Sequence, residues 1–296
     1  MSESKKGPGD FDLASREKKP SPLGTAIFVG LRAADAVLQY QILQQGWGQQ
    51  LVSTLGGAPV PFAAPRDPTL AYFGLGPYPA LMSALALGSS VKHISWILGV
   101  SEQEMPPAAA VLIAAFNTVL NTSNTLLSCW ALTSQAPQME TQSTTMYDMI
   151  TASPVLAIGL GLYTVGITTE MVAEVQRKMF KSDPKNEGKP YGGGLWSLAT
   201  NINYGGYTLW RTGAALSAAG PMWGIIIGAF FFYDFTRRAI PSLDAFCTEK
   251  VSPLNAFNDL TNLLICRTST VRNTKRSRRI LHTGSFLASI RIMSAA

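Results

Sequence analysis

Histidine and cysteine are nearly missing from this chain, which has two of the first and three of the second among its 296 residues. Cys129, Cys247 and Cys266 lie far apart, without the paired spacing of a zinc site or the density of a disulfide framework, so they read as free thiols. His93 and His282 are too isolated for a metal centre or a nucleophilic triad, and no metal is expected. Charge is sparse too: 14% of residues are charged while 47% are hydrophobic, and the mean hydropathy is +0.15. The net charge of +6 comes from 24 basic and 18 acidic residues. The basic ones cluster at the ends and in one loop, with no basic stripe interleaved with stacking aromatics, which argues against nucleic acid and for anionic lipid or phosphate. The start of the chain also lacks an apolar core followed by a small-residue cleavage site. No cleaved signal peptide is expected, and the first span serves as the insertion signal.

What is present is apolar length. The pattern predicts an integral membrane protein of the all-α class, a polytopic transmembrane helical bundle with about six spans or re-entrant segments. Residues 1–22 read as a disordered basic tail on the cytoplasmic side. Residues 23–43 make a first span that carries Arg32 and Asp35, which must pair inside a bundle. After a Pro/Gly linker, residues 77–100 and 108–132 make the second and third spans. Asn117, Asn121 and Asn124 fall on one face of the third, either for bonds between helices or as a ligand-lining face. The fourth span covers about residues 152–173. Four crossings return the chain to its starting side, and the loop from Arg177 to Lys189 has five Lys/Arg against two acids, as the positive-inside rule asks of a cytoplasmic segment. Residues 195–211 then enter the membrane as a span or re-entrant element, and residues 213–233 cross it, with Gly220, Gly224 and Gly228 expected to give close helix contact. The membrane bundle is thus expected over 23–250. From Leu260 onward there are seven Lys/Arg and no acid. The abrupt loss of pattern predicts that 251–296 is a disordered basic tail arising from a retained intron or a shifted frame.

The most informative stretch is Thr168–Tyr207. An apolar segment without charge gives way to Glu170 and Glu174, four apart on one helix face, then to Arg177, Lys178 and Lys181. Carboxylates with cations one step further out suit a nucleotide whose two ends differ in charge. The basic loop serves equally as a topology signal or as a phosphate site. Tyr191 and the three glycines after it lack the Lys-Ser/Thr ending of a phosphate loop and read as a flexible turn. Met171, Met179 and Phe180 read as packing.

From the fourth span onward the order of residues resembles the steroid 5α-reductase C-terminal domain family and its DUF1295-type membrane reductase relatives. The matching positions are Glu170, Glu174, Gln176 and Lys178 to Lys181, then Pro184, Asn186, Gly188 and Lys189 in the loop. Gly194-Leu195-Trp196, Asn203-Tyr204 with Gly206, and Ile240, Pro241 and Asp244 follow. The resemblance spans roughly 152–250. It implies a membrane reductase that takes hydride from NADPH to a carbon-carbon double bond conjugated to a ketone, in a lipid or steroid-like substrate. It also implies that Glu170, Glu174, Lys178, Lys181, Asn203, Tyr204 and Tyr207 bind the cofactor, and that the protein sits in the endoplasmic reticulum. Lysine can balance phosphate charge, while carboxylate and amide groups orient the ring. Two departures stand out: Thr200, Asn201 and Ile202 replace the family's arginine-histidine-proline, and Tyr207 replaces its glutamate. Catalytic residues are not assigned, with Tyr40, Tyr72 and Tyr78 as candidates. The alternatives are an inactive reductase-like protein that binds lipid or a partner, and a small-molecule transporter, though no inverted repeat is visible.

Overall fold

Proline opens nearly every crossing. Pro22, Pro77, Pro107 and Pro154 each take the first position of a long helix, where the missing N–H is not needed and φ is already set. The computed structural model describes residues 18–62, 64–65, 67–136, 145–187, 189 and 191–243. The tail beyond Lys250, most of the N-terminal tail, and Gly188, Asp244, Cys247, Cys266 and His282 lie outside the described residues. Every regular element among the described residues is helical. The chain divides into two compact units, residues 1–129 and 130–296.

In the first unit, α1 (Pro22–Gln44), α4 (Pro77–Gly99) and α5 (Pro107–Cys129) are long, with two short helices, α2 (Trp47–Thr54) and α3 (Pro68–Phe73), between the first two. An apolar cluster of Phe28, Ile97, Met105 and Ala110 is buried beside a set of buried polar groups, and other apolar side chains face outward. Arg32, Asp35 and Gln39 are buried with Ser89, Ser90 and Asn121, whereas Leu112, Val119 and Leu87 are exposed. Apolar outer faces with the buried polar groups paired to one another suit a helix bundle in lipid. Arg32 Nη1 donates to Asp35 Oδ2 at 2.8 Å, so the two charges of the first span do pair. The same carboxylate accepts from Asn121 Nδ2 at 2.7 Å and, on Oδ1, from Gln39 Nε2 at 2.9 Å. Arg32 Nη2 reaches Ser89 and Ser90, each at 3.1 Å. Asn121 thus bridges two helices, and Asn117 Nδ2 donates to the Ile113 carbonyl of its own helix. At the start of α1, Lys18 and Lys19 pair with Glu102 and Glu104.

In the second unit, α6 (Met146–Ala152) leads into α7 (Pro154–Ser182) and α8 (Ile202–Asp234). The fourth span does not break at Glu170: α7 stays helical to Ser182, so both glutamates sit on a continuous helix. The expected boundary between residues 211 and 213 is corrected by the structure. Helix α8 runs through it and breaks at Ala219 and Gly220, where Gly220 has φ +76° ahead of Pro221. Only glycine takes that φ without strain, and proline cannot continue the preceding helix. The chain doubles back there. Tyr204 stacks on Phe235, Tyr207 packs on Phe231, Gly228 faces Thr212 and Gly224 faces Leu216. These pairs fix two antiparallel arms, residues 202–218 and 221–234. Gly224 and Gly228 serve close contact as expected, while Gly220 makes the turn. A π-helical turn, Phe235–Ala239, ends the second arm.

Five helices are long and apolar enough to cross a membrane, namely α1, α4, α5, α7 and the segment Ile202–Leu243. The last of these is folded into the two arms. The protein is an all-α polytopic membrane bundle.

Candidate functional site

The site is built where α7 and the first arm of α8 run antiparallel with almost no space between backbones. A Cβ on Gly166 would lie 2.4 Å from the Trp210 amide nitrogen, and one on Gly206 would lie 2.7 Å from that of Glu170. Side chains one turn away from these glycines are therefore pressed together across the seam. Trp210 Nε1 donates to Glu170 Oε2 at 2.7 Å, with both residues buried. One turn further along, Asn203 Nδ2 donates to Glu174 Oε1 at 2.8 Å, and Arg177 Nη2 donates to Glu174 Oε2 at 2.6 Å. Glu174 is buried while Arg177 is part exposed, so the pair carries charge from the interior of the bundle to its end.

The segment between the helices is clipped to α7. Gln176 Oε1 accepts from the Leu195 amide at 2.9 Å. Trp196 Nε1 donates to the Ala173 carbonyl at 2.8 Å, and its ring lies beneath the Arg177 guanidinium, 5.1 Å from Cζ to the ring centre. Gly194, with φ +54°, lies where a Cβ would strike the Gln176 side chain at 2.4 Å. The Gly194-Leu195-Trp196 motif thus closes the loop over the end of the glutamate face.

Of the seven residues expected at a cofactor site, Glu170, Glu174 and Asn203 are brought together on the α7–α8 seam. Lys178 is half-buried on the same helix. Lys181 is exposed, and its Nζ donates to the Lys189 carbonyl. The two tyrosines belong to the hairpin interior. Tyr204 stacks on Phe235 with ring centres 4.6 Å apart, and the Tyr207 hydroxyl accepts from Arg211 Nε at 3.1 Å. Among the candidates in the first unit, Tyr40 donates to the Phe73 carbonyl, Tyr72 is exposed and Tyr78 is buried.

Sequence reasoning missed Trp210 and Arg211. Arg211 is 2% exposed and its Cζ lies 4.1 Å from the Trp210 ring centre, with Tyr207 and Phe231 also against it. A lone arginine in the middle of an apolar span is the available signal, although in sequence Arg211 reads equally as a span end. Two features give the site chemical capacity. Glu174 holds the Asn203 amide by its nitrogen, which leaves Oδ1 buried with no hydrogen-bond partner. The end of α7 beyond it is basic, from Arg177 to Lys181. Among the described residues no group of His, Cys, Asp and Glu could hold a metal ion.

No solved structure matches the chain. It is 37% identical over 238 residues to a protein named "Probable O-methyltransferase ustE" from Ustilaginoidea virens, covering 79% of this chain and 82% of that protein. The family profile described as "Protein of unknown function (DUF1295)" matches residues 111–259, which include all of α7, the loop, both arms of α8 and every residue of the seam. The chain therefore belongs to the DUF1295 family.

Proposed function

We propose that the chain is a membrane-embedded reductase that uses NADPH to reduce the carbon-carbon double bond of an enone, in a lipid or steroid-like substrate. The observation that carries this reading is the graded seam: buried Glu170 and Glu174, the Asn203 amide oriented between them and the surface, and Arg177, Lys178 and Lys181 at the outer end. A buried acceptor without a donor is a standing deficit. The Asn203 Oδ1 atom fits a carboxamide N–H or a ribose hydroxyl, while Lys178 and Lys181 fit phosphate charge. NADPH, when bound, supplies the hydride. The chain's own part is to orient and to exclude water: Glu174 fixes the amide, and the Trp196 ring under Arg177 covers the outer end. The resemblance to the steroid 5α-reductase C-terminal domain family supports the same reading, and with it an endoplasmic reticulum location and a cytoplasmic N-terminus.

A second reading is methyl transfer to a hydroxyl, favoured by the name of the 37% identical relative. One titration separates the two. The purified full chain in detergent is mixed with NADPH or with S-adenosylmethionine while the fluorescence of Trp196 and Trp210 is followed. The reductase reading expects saturable NADPH binding that Glu174→Ala weakens at least tenfold, through loss of a charge-assisted contact of about 1.5–3 kcal/mol, and NADPH oxidation when a steroid-like enone is added. Binding of S-adenosylmethionine alone would transfer the site to the second reading. Saturable NADPH binding without turnover of any enone would leave a cofactor-binding protein that is not a reductase.

A further inference from the structure

The hairpin of α8 gathers basic residues that are separate in the chain. Tyr204 stacks on Phe235, so the second arm ends beside the start of the first. Asn203 meets Glu174 across the seam, so that start lies near the outer part of α7. Arg237 and Arg238 follow Phe235 by two and three residues, and α7 runs on from Glu174 to Lys181 and then to Lys185 and Lys189. The two basic segments therefore emerge at one end of this unit.

The cations at that end are not equally occupied. Arg177 pairs with Glu174, and Arg238 makes two bonds of 2.7 Å to Asp234. Lys185, Lys189 and Arg237 are exposed and make no ion pair among the described residues. Two exposed acids share this stretch: Asp183 accepts from the Lys185 backbone amide, and Glu187 lies two residues from both Lys185 and Lys189 without an ion pair to either among the described residues. Exposed apolar side chains such as Met222, Ile225 and Phe230 cover the arm that carries Arg237, so this cation stands where a lipid-facing surface ends.

We infer that Lys185, Lys189 and Arg237 form a binding surface for the phosphate of an anionic lipid headgroup. The chemistry follows from position: unpaired cations at the rim of a hydrocarbon-facing helix meet headgroup phosphates, and clusters of this kind draw anionic lipid at about 1 kcal/mol for each cation. Cations that only set topology are indifferent to the headgroup once the chain is inserted; this surface is not. None of the three residues belongs to the proposed cofactor set, so the inference stands or falls separately from the reductase reading.

The test uses the purified full chain in detergent with fluorescent phosphatidylserine and, in parallel, fluorescent phosphatidylcholine. Preference for phosphatidylserine is expected. It should fall about fivefold for each cation removed, hence roughly a hundredfold in a Lys185→Gln, Lys189→Gln, Arg237→Gln variant. If that variant does not fold, raising salt on the unaltered chain provides the second measurement, since exposed charges are screened within about 8 Å at physiological ionic strength. Equal retention of the two lipids, or binding unchanged by both the variant and salt, would overturn the inference. Displacement of the lipid by inorganic phosphate or NADPH at equal concentration would reassign the cations to a soluble phosphate ligand.

Discussion

Replacement of Gly213 by alanine tests the helix seam on which the candidate site rests. A Cβ at that position would sit 2.4 Å from the Gly159 carbonyl oxygen and 2.4 Å from the Tyr163 amide nitrogen. Both are backbone atoms and cannot rotate away. Ordinary contact needs about 3.5 Å, so α7 and the first arm must separate by about 1 Å. A gap of that size forfeits roughly a quarter to a half of the dispersion well at each contact, and overpacking of this kind costs about 1–3 kcal/mol. The Trp210–Glu170 and Asn203–Glu174 hydrogen bonds, 2.7 and 2.8 Å long, cross the same seam, and lengthening by about 1 Å takes both out of range. We expect a loss of about 3 kcal/mol, which corresponds to roughly 10 °C in Tm for a unit of this size. The control is Gly161→Ala on α7, where a Cβ meets nothing within 4 Å; there alanine should be neutral or stabilising by up to about 1 kcal/mol. Thermal melts of the full chain in detergent, read by tryptophan fluorescence, make the comparison. Equal melting temperatures for the two variants would falsify the close-packed seam.

Two further outcomes follow from the packing. Arg32→Ala strands the buried Asp35 carboxylate, left with Gln39 of its own helix and Asn121 of α5, and should destabilise the protein by about 3–5 kcal/mol, whereas joint replacement with Arg32→Met and Asp35→Leu should recover most of that; denaturant titration in detergent decides, and a single variant as stable as the wild type contradicts the buried pair. Gly220→Ala places a side chain at φ +76° and within 2.6 Å of the Gln135 amide, so a penalty of at least about 1–2 kcal/mol is expected, read as a lower Tm; an unchanged Tm would mean that the turn tolerates other backbone conformations.

Helical class, membrane character and the first four spans were legible in the sequence because hydropathy is a sum over many residues and tolerates local ambiguity. The pairing of Arg32 with Asp35 was legible for a related reason: two opposite charges three apart in an apolar helix have no other affordable arrangement. The position of the break in α8 was not. Arg211 and Gly213 suggested an end at residue 212, but the arginine is absorbed by Trp210, Tyr207 and Phe231, and the glycine serves contact with α7. Gly220, at the true break, falls in a glycine repeat with Gly224 and Gly228 that reads in sequence as close helix contact. Within the site, the spacing of Glu170 and Glu174 placed both on one face correctly. Which partner each carboxylate takes depends on the register between two helices, and that register is set by Gly159, Gly166, Gly206 and Gly213, whose seven-residue spacing on each helix carries no hydropathy signal.

The ion pair inside α1 also bears on how the protein is made. Arg32 and Asp35 lie three residues apart on the same helix, so this span already cancels its own charge before α4 and α5 are synthesised. Each charge left alone at mid-bilayer would oppose entry by about 2.5–3.5 kcal/mol. Self-neutralisation lets this helix partition sideways out of the translocation channel unaided, and it can then wait in the bilayer with its polar face ready for the serines and the asparagine that arrive later on the growing chain.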